Sequence, residues 1–112
     1  MDKRKELQRQ YKERPVIGGV YRIRNTANDR YVLECTKEMA GSRNRHQFAL
    51  MTGDCMHHAM RQDWREHGAK SFVFEELATL EKKPEQTDRE YVDELKALLE
   101  LWRDELDPAL AY

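Results

Sequence analysis

The sequence predicts an α+β domain with a small three-stranded antiparallel sheet flanked by helices and an extra helix at the N-terminus. Segments 20–24 and 30–35 are rich in β-branched and aromatic residues and enclose an Asn/Asp-rich loop at 25–29, which is the pattern of a β-hairpin. Segment 71–77 has a similar composition and predicts a third strand. Segment 88–106 has apolar residues at helical spacing and predicts a long amphipathic helix.

The chain begins with a predicted amphipathic helix over 2–13. Leu7 and Tyr11 lie four residues apart on one face of this helix, and Pro15 follows as a stop. Because the helix precedes the first strand, we expect residues 1–17 to form an extension of the domain.

The segment after the hairpin predicts a loop and then a short helix. Residues 36–42 contain two typical loop residues, Gly and Ser, and predict the loop. Residues 43–51 predict the helix, which would bury Phe48 together with Leu50 or Met51.

A second helix is predicted to begin at Asp54, a good N-cap residue, and to end near His67 with Gly68 as its stop. Four residues recur at helical spacing along it and predict a buried face: Met56, Met60, Trp64 and His67.

The last helix has the clearest start signal in the chain. Thr87 and Glu90 form a capping-box pattern, and Pro108 marks the stop. We therefore expect the main domain to span 18–107, with 108–112 as a tail. The apolar stripe of this helix consists of Tyr91, Val92, Leu95, Leu98, Leu99, Trp102 and Leu106.

Composition excludes several classes of protein. Charged residues make up 37% of the 112, yet two Trp, five Tyr and three Phe fall in patterned segments, which argues against disorder. No apolar run approaches the ~18 residues of a membrane span, and the first residues do not resemble a signal peptide. Two Cys do not make the disulfide scaffold of a secreted protein. We therefore expect a soluble, cytoplasmic protein with no membrane partner.

The charges are unevenly distributed. Residues 1–70 carry 15 Lys and Arg against 9 Asp and Glu, whereas residues 71–112 carry 5 against 12. A basic front part would suit a polyanionic partner. A surface of mixed sign is also typical of any soluble protein, so charge alone does not identify a nucleic-acid binder.

Motifs for metals and phosphate-binding loops are missing from the sequence. The two Cys and four His lack the paired spacing of a structural zinc site. No P-loop, GxGxxG or GxSxG element occurs. We therefore expect no small-molecule cofactor.

A series of short motifs in one order is more informative. Gly-Val-Tyr at 19–21 lies on the first strand and Tyr-Val-Leu at 31–33 on the second. An Arg-bearing helix at 43–46, a helix with Trp and a terminal Gly at 62–68, and Phe-Val-Phe-Glu at 72–75 follow. In this order, and over nearly the whole chain, the segments resemble the GIY-YIG nuclease superfamily, whose last helix carries a Glu.

The resemblance implies an endonuclease that hydrolyses DNA phosphodiester bonds with one divalent ion, Mg²⁺ or Mn²⁺. Tyr21 matches the tyrosine of the family's first strand and Tyr31 that of the second, and the two would handle the attacking water and the phosphate. A phenol is a poor base at neutral pH, so we expect both hydroxyls in one hollow lined by cations. The alternative is that both rings only pack on the sheet.

The family's phosphate-binding arginine matches either Arg43 or Arg45, which would form charge-assisted bonds to the phosphate. Both lie farther from Tyr31 than the family's usual spacing. Arg45 is favoured because Asn44 could cap the helix beside it. His46 lies one residue before the position where the family often has His or Tyr. His46, His57 and His58 are further candidates for contact with phosphate or a metal-bound water, and a solvated helix end would explain each of them as well.

The sequence departs from the family at two positions. Leu33 replaces the glycine of the second strand. The family's metal-binding glutamate falls at Leu99, within the apolar stripe, and Glu100 follows about 100° around the helix axis. Glu100 is therefore the candidate metal ligand. Other carboxylates on the helix and the third strand are alternatives: Glu75, Glu76, Glu90 and Glu94.

Three functions remain open. The first is a divalent-metal-dependent endonuclease acting on DNA. The second is a nucleic-acid-binding module of the same fold with weakened catalysis, and the third is a non-enzymatic protein-interaction domain. Leu7, Tyr11 and Leu101 would suit either a homodimer contact or packing within one chain.

Overall fold

The computed structural model describes residues 15–112 and contains a three-stranded antiparallel sheet. Its strands are β1 (Ile17–Asn25), β2 (Tyr31–Thr36) and β3 (Phe72–Glu81), in the order β2-β1-β3. The predicted sheet is confirmed, whereas the predicted helix at 2–13 lies outside the described residues.

Between residues 15 and 112, three α-helices flank the sheet: α1 (Met39–Thr52), α2 (Arg61–His67) and α3 (Asp88–Glu105). Short 3-10 turns occur at His58–Met60, Ala69–Ser71 and Pro108–Leu110. Within the described residues, no helix is both long and apolar enough to cross a membrane.

The two faces of the sheet follow from the strand register, because directly paired residues point to the same side. The Tyr21 face carries Tyr21, Ile23, Val32, Glu34 and Phe74. This face packs against α1 and α2 to form the main core. The opposite face, the Tyr31 face, carries Arg22, Arg24, Tyr31, Leu33 and Glu75. It lies against α3. Burial raises the pKa of the Cys35 thiol on this face, and the positive charges of Lys96 and Arg103 on α3 lower it by less.

Helix α1 begins four residues earlier than predicted, so the expected loop over 36–42 is partly wrong. Thr36 Oγ1 accepts a bond from the Glu38 N–H at 3.1 Å and another from the Ser42 hydroxyl at 2.8 Å. These bonds hold the first turn of the helix, in which Met39 and Ser42 are buried. Asn44 lies inside the helix and does not cap it.

The buried face of α1 also differs from the prediction. Phe48 is 66% exposed and Met51 is 84% exposed, whereas His46 and Ala49 are buried. The earlier start explains this difference, because the inward row of the helix runs from Met39 through Ser42 to His46 and Ala49. The expected burial of Phe48 is therefore wrong.

Helix α2 is shorter than predicted. Asp54 does not cap it, and regular helix begins only at Arg61, after the 3-10 turn. The Trp64 indole N–H donates to the Gly53 carbonyl at 2.9 Å, which fixes the irregular segment between α1 and α2. Met60 and Trp64 are buried as predicted, but Met56 and His67 are exposed.

Helix α3 agrees with the prediction, including the reciprocal capping box of Thr87 and Glu90. Tyr91 ties this helix to the sheet, because its hydroxyl accepts from the Gly18 N–H at 2.7 Å and donates to the Leu80 carbonyl at 2.5 Å. After the helix the chain returns to the edge of β2, where the Tyr112 N–H donates to the Tyr31 carbonyl at 2.9 Å.

Candidate functional site

A cleft with a volume of about 370 Å³ opens where α1 meets the middle of β1 and the C-terminal half of β2. We call it the Tyr21 cleft. It is lined by Tyr21, Glu34, Cys35, Thr36, Ser42, Arg45, Met56 and His57.

The sheet supplies a hydroxyl and a carboxylate to this cleft. Tyr21 and Glu34 are direct partners across β1 and β2, so both side chains lie on the Tyr21 face. The Tyr21 ring is 8% exposed and stacks on Phe74 at a centroid distance of 4.5 Å. This packing fixes where the hydroxyl points.

The helix and the segment after it supply a guanidinium and an imidazole. Arg45 donates from Nη2 to Ser42 Oγ at 3.1 Å, which holds the arginine at the wall of the cleft. His57 Nδ1 lies 3.9 Å from Glu34 Oε1. The Tyr21 cleft therefore combines an aromatic hydroxyl, a cation, a carboxylate and an imidazole.

Burial raises the pKa of Tyr21, and the negative charge of Glu34 raises it further. The Ser42 hydroxyl and the Arg45 guanidinium act in the opposite direction without cancelling the rise. Tyr21 is therefore protonated at neutral pH. It can donate a hydrogen bond to a phosphate or a water, but it is a poor proton acceptor.

Of the two candidate arginines, the structure brings only Arg45 to the cleft. Arg43 forms an ion pair with Glu76 of β3, and its guanidinium lies 5.7 Å from the centre of the Phe74 ring. Arg43 is therefore held against β3 and is absent from the lining of the cleft.

His46 lies in the core next to the cleft and is absent from its lining. Its Nε2 lies 3.3 Å from the Phe72 carbonyl oxygen, and its ring centre is 6.0 Å from that of Phe74. Burial lowers the pKa of His46, although the bond to Phe72 opposes this. The imidazole is therefore neutral at pH 7 and joins α1 to β3.

The buried His46 predicts a pH dependence of stability. The unfolded chain binds a proton near the ordinary histidine pKa of about 6.5, whereas the folded chain does so only at lower pH. Stability is thus fully present above about pH 6.5 and falls as the pH drops toward the folded-state pKa. Thermal unfolding of His46→Gln should show a flatter pH dependence below about pH 6.5 than the wild type, whereas the exposed His58→Gln should not. Parallel curves for all three proteins would contradict this role.

Tyr31 lies on the opposite face of the sheet from Tyr21. It pairs with Arg24 on β1, three residues beyond Tyr21, so its side chain points the other way. Its hydroxyl donates to the Asp107 carbonyl at 3.0 Å, and the Arg22 guanidinium lies 5.9 Å from its ring centre. The expectation that both hydroxyls share one hollow is therefore wrong.

The structure does not bring Glu100 to the Tyr21 cleft. Glu100 is exposed on α3, which packs on the Tyr31 face, and it pairs with Arg103 one turn later. Leu99, at the family's glutamate position, is half-buried. The alternative carboxylate of Glu75 accepts from Arg22 Nε and Arg24 Nε at 2.8 Å each.

One acidic group elsewhere has the spacing of a metal site. Ligand atoms of Asp63, Glu66 and His67 on α2 lie within 4.8 Å of one another. The Asp63 carboxylate already accepts from the Tyr112 hydroxyl at 2.7 Å and the Asn28 amide at 2.9 Å, and these bonds lower its pKa. This group joins α2, the hairpin loop and the C-terminal residue.

Sequence reasoning missed Glu34 and Ser42, whereas His57 was a candidate for contact with phosphate or a metal-bound water and does line the cleft. The hairpin loop contained a signal for Glu34, because paired residues lie equally far from the centre of the loop, between Ala27 and Asn28. This count places Glu34 opposite Tyr21. Ser42 had no such signal, since its position depends on the start of α1.

Two solved structures share this fold. The catalytic domain of homing endonuclease I-TevI is 22% identical with a TM-score of 0.59, and the match covers 85% of this chain and 95% of that one. A point mutant of the same domain is 22% identical with a TM-score of 0.61, covering 86% and 91%. No family model and no curated protein matches the sequence. The resemblance to the GIY-YIG nucleases is thus confirmed at the level of the fold.

Proposed function

We propose that this chain is an endonuclease domain that hydrolyses DNA phosphodiester bonds in the Tyr21 cleft. One observation carries the proposal: Tyr21, Arg45, Glu34 and His57 line a single cleft, in a domain with the fold of a homing endonuclease catalytic domain. The four side chains supply a donor, a cation, a carboxylate and an imidazole, which are the groups that phosphodiester hydrolysis uses.

Arg45 and Tyr21 bind the phosphate in this proposal. The Arg45 guanidinium forms charge-assisted hydrogen bonds to the non-bridging oxygens, which strengthen as negative charge develops. The protonated Tyr21 hydroxyl donates to the same phosphate or to the attacking water. Its stacking on Phe74 keeps the donor in place, so little reorganisation is needed during the reaction.

His57 acts as the proton acceptor. Its Nδ1 lies 3.9 Å from Glu34 Oε1, and the negative carboxylate favours the imidazolium that forms when Nε2 accepts a proton. A water next to Nε2 transfers its proton to that nitrogen as its oxygen bonds to phosphorus. The bond from phosphorus to the leaving sugar oxygen then breaks, its electron pair stays on that oxygen, and the oxygen takes up a proton from solvent water.

The divalent ion implied by the fold family fits Glu34 better than Glu100. Glu100 pairs with Arg103 on the helix behind the sheet, whereas Glu34 is half-buried in the cleft wall. Mg²⁺ is often bound through one or two carboxylates together with substrate phosphates and waters. When bound at Glu34, Mg²⁺ or Mn²⁺ would neutralise charge on the phosphate.

A second candidate function is DNA binding without cleavage. It is favoured by the position of Tyr31 and Glu100, since the sheet separates both from the Tyr21 cleft. Arg45 and Tyr21 would then hold the phosphate and His57 would have no catalytic role.

The experiment is incubation of the protein with supercoiled plasmid DNA and Mg²⁺ or Mn²⁺, with and without a chelator. Nicked or linear plasmid that forms only with the metal supports the endonuclease. Intact plasmid together with salt-sensitive binding supports the second candidate, because phosphate contacts release counterions. No binding at low salt would overturn both proposals.

A further inference from the structure

The most exposed aromatic side chain in the described residues is Phe48 on α1, which is 66% exposed. Sequence patterning predicts its burial, and the neighbouring turns of α1 do bury Ala49 and His46. A large ring left in water loses the free energy that burial would provide. Phe48 stands three residues after Arg45, which lines the Tyr21 cleft.

Phe48 lies next to the phosphate-binding arginine. Arg45 lines the cleft and stands three residues before Phe48 on the same helix. Side chains at this spacing are neighbours, with Cβ atoms about 5–6 Å apart. Met56, which is 46% exposed, adds a further apolar side chain to the wall of the cleft. A cation that suits phosphate thus borders a flat apolar ring.

We propose that Phe48 stacks on an unpaired nucleobase next to the phosphate held by Arg45, so that the Tyr21 cleft prefers single-stranded or locally unpaired DNA. This inference rests on the proposed function and names its substrate class. A base is linked through its sugar to the phosphate, and every base has an apolar face that can stack on an aromatic ring. In a duplex these faces are covered by neighbouring base pairs, and only an unpaired base can turn outward.

Met51 provides a matched control on the same helix. It is 84% exposed, but it lies six residues from Arg45, so the two side chains point about 120° apart around the helix axis. Met51 therefore points away from the cleft. If α1 instead docked a protein partner through its exposed apolar residues, Met51 and Phe48 would have no reason to differ in DNA binding.

The test is fluorescence anisotropy of labelled single-stranded and duplex oligonucleotides of the same sequence, without divalent ions. Phe48→Ala should weaken single-strand binding by about 5- to 150-fold, the range of one aromatic–base stack. Duplex binding should be unchanged. Phe48→Tyr should keep the single-strand affinity of the wild type because it keeps the ring, whereas Phe48→Leu should bind single strands as weakly as Phe48→Ala. Met51→Ala should behave as the wild type.

The outcomes separate this inference from the proposed function. Wild-type protein that binds neither form of DNA contradicts the proposed function and the inference with it. Wild-type protein that binds DNA while Phe48→Ala has no effect, or weakens both forms equally, overturns the stacking role alone. Full affinity in Phe48→Leu would show that an apolar contact suffices and would also overturn it.

Discussion

Tyr21→Phe is expected to lower the rate of DNA cleavage by about 10²–10³-fold, the usual effect of removing one preorganised donor from a reacting centre. Burial raises the pKa of Tyr21, so its hydroxyl acts as a donor in the cleft and phenylalanine removes that donor. The ring still stacks on Phe74, and folding should be nearly unchanged. Rates are measured under single-turnover conditions on labelled DNA.

Tyr31→Phe is the matched control, because it makes the same chemical change on the other face of the sheet. It removes the bond to the Asp107 carbonyl and should cost about 1 kcal/mol of stability. Its cleavage rate should equal that of the wild type. A large loss of activity in Tyr31→Phe with none in Tyr21→Phe would place the chemistry on the Tyr31 face.

Gly19→Ala is expected to destabilise the fold by roughly 2–5 kcal/mol, combining backbone strain with a clash in a packed sheet. Gly19 has φ of 152°, and an added Cβ would lie 2.9 Å from the Ala78 carbonyl carbon and closer still to its oxygen. The register between β1 and β3 shifts one residue later, between Val20 and Tyr21. Gly19 therefore allows β3 to approach β1 closely just before Tyr21.

Gly53→Ala separates the cost of backbone strain from the cost of the clash. Gly53 also has a positive φ, 78°, but no atom lies within 4 Å of the added Cβ. It should lose only about 1 kcal/mol. Urea unfolding at equilibrium measures both variants. Equal destabilisation would show that β3 moves away from Gly19 without penalty.

The parts of the fold that were predicted correctly depend on local chemistry. The capping box at Thr87 and Glu90 fixes the start of α3 within one turn, and the Asn/Asp-rich loop fixes the hairpin. The start of α1 was missed because it depends on contacts from Thr36 of the preceding strand, which no helix propensity records. Phe48 was misplaced as a consequence.

The candidate site was less predictable, because it depends on register. A displacement of three residues along a strand turns a side chain to the opposite face, so matching Tyr31 by motif alone gave the wrong side. The basic front half was also misleading. Arg22 and Arg24 are paired with Glu75 on the Tyr31 face, which leaves less free positive charge than the composition suggests.

The most direct test of the central claim, that phosphate binds in the Tyr21 cleft, compares the DNA affinities of Arg45→Ala and Arg43→Ala over a range of salt concentrations. Arg45→Ala should bind about 10- to 100-fold more weakly, and the slope of log affinity against log salt should fall by about one. Arg43, which is paired with Glu76, should have little effect on either quantity. An unchanged slope in Arg45→Ala together with a reduced slope in Arg43→Ala would contradict the account.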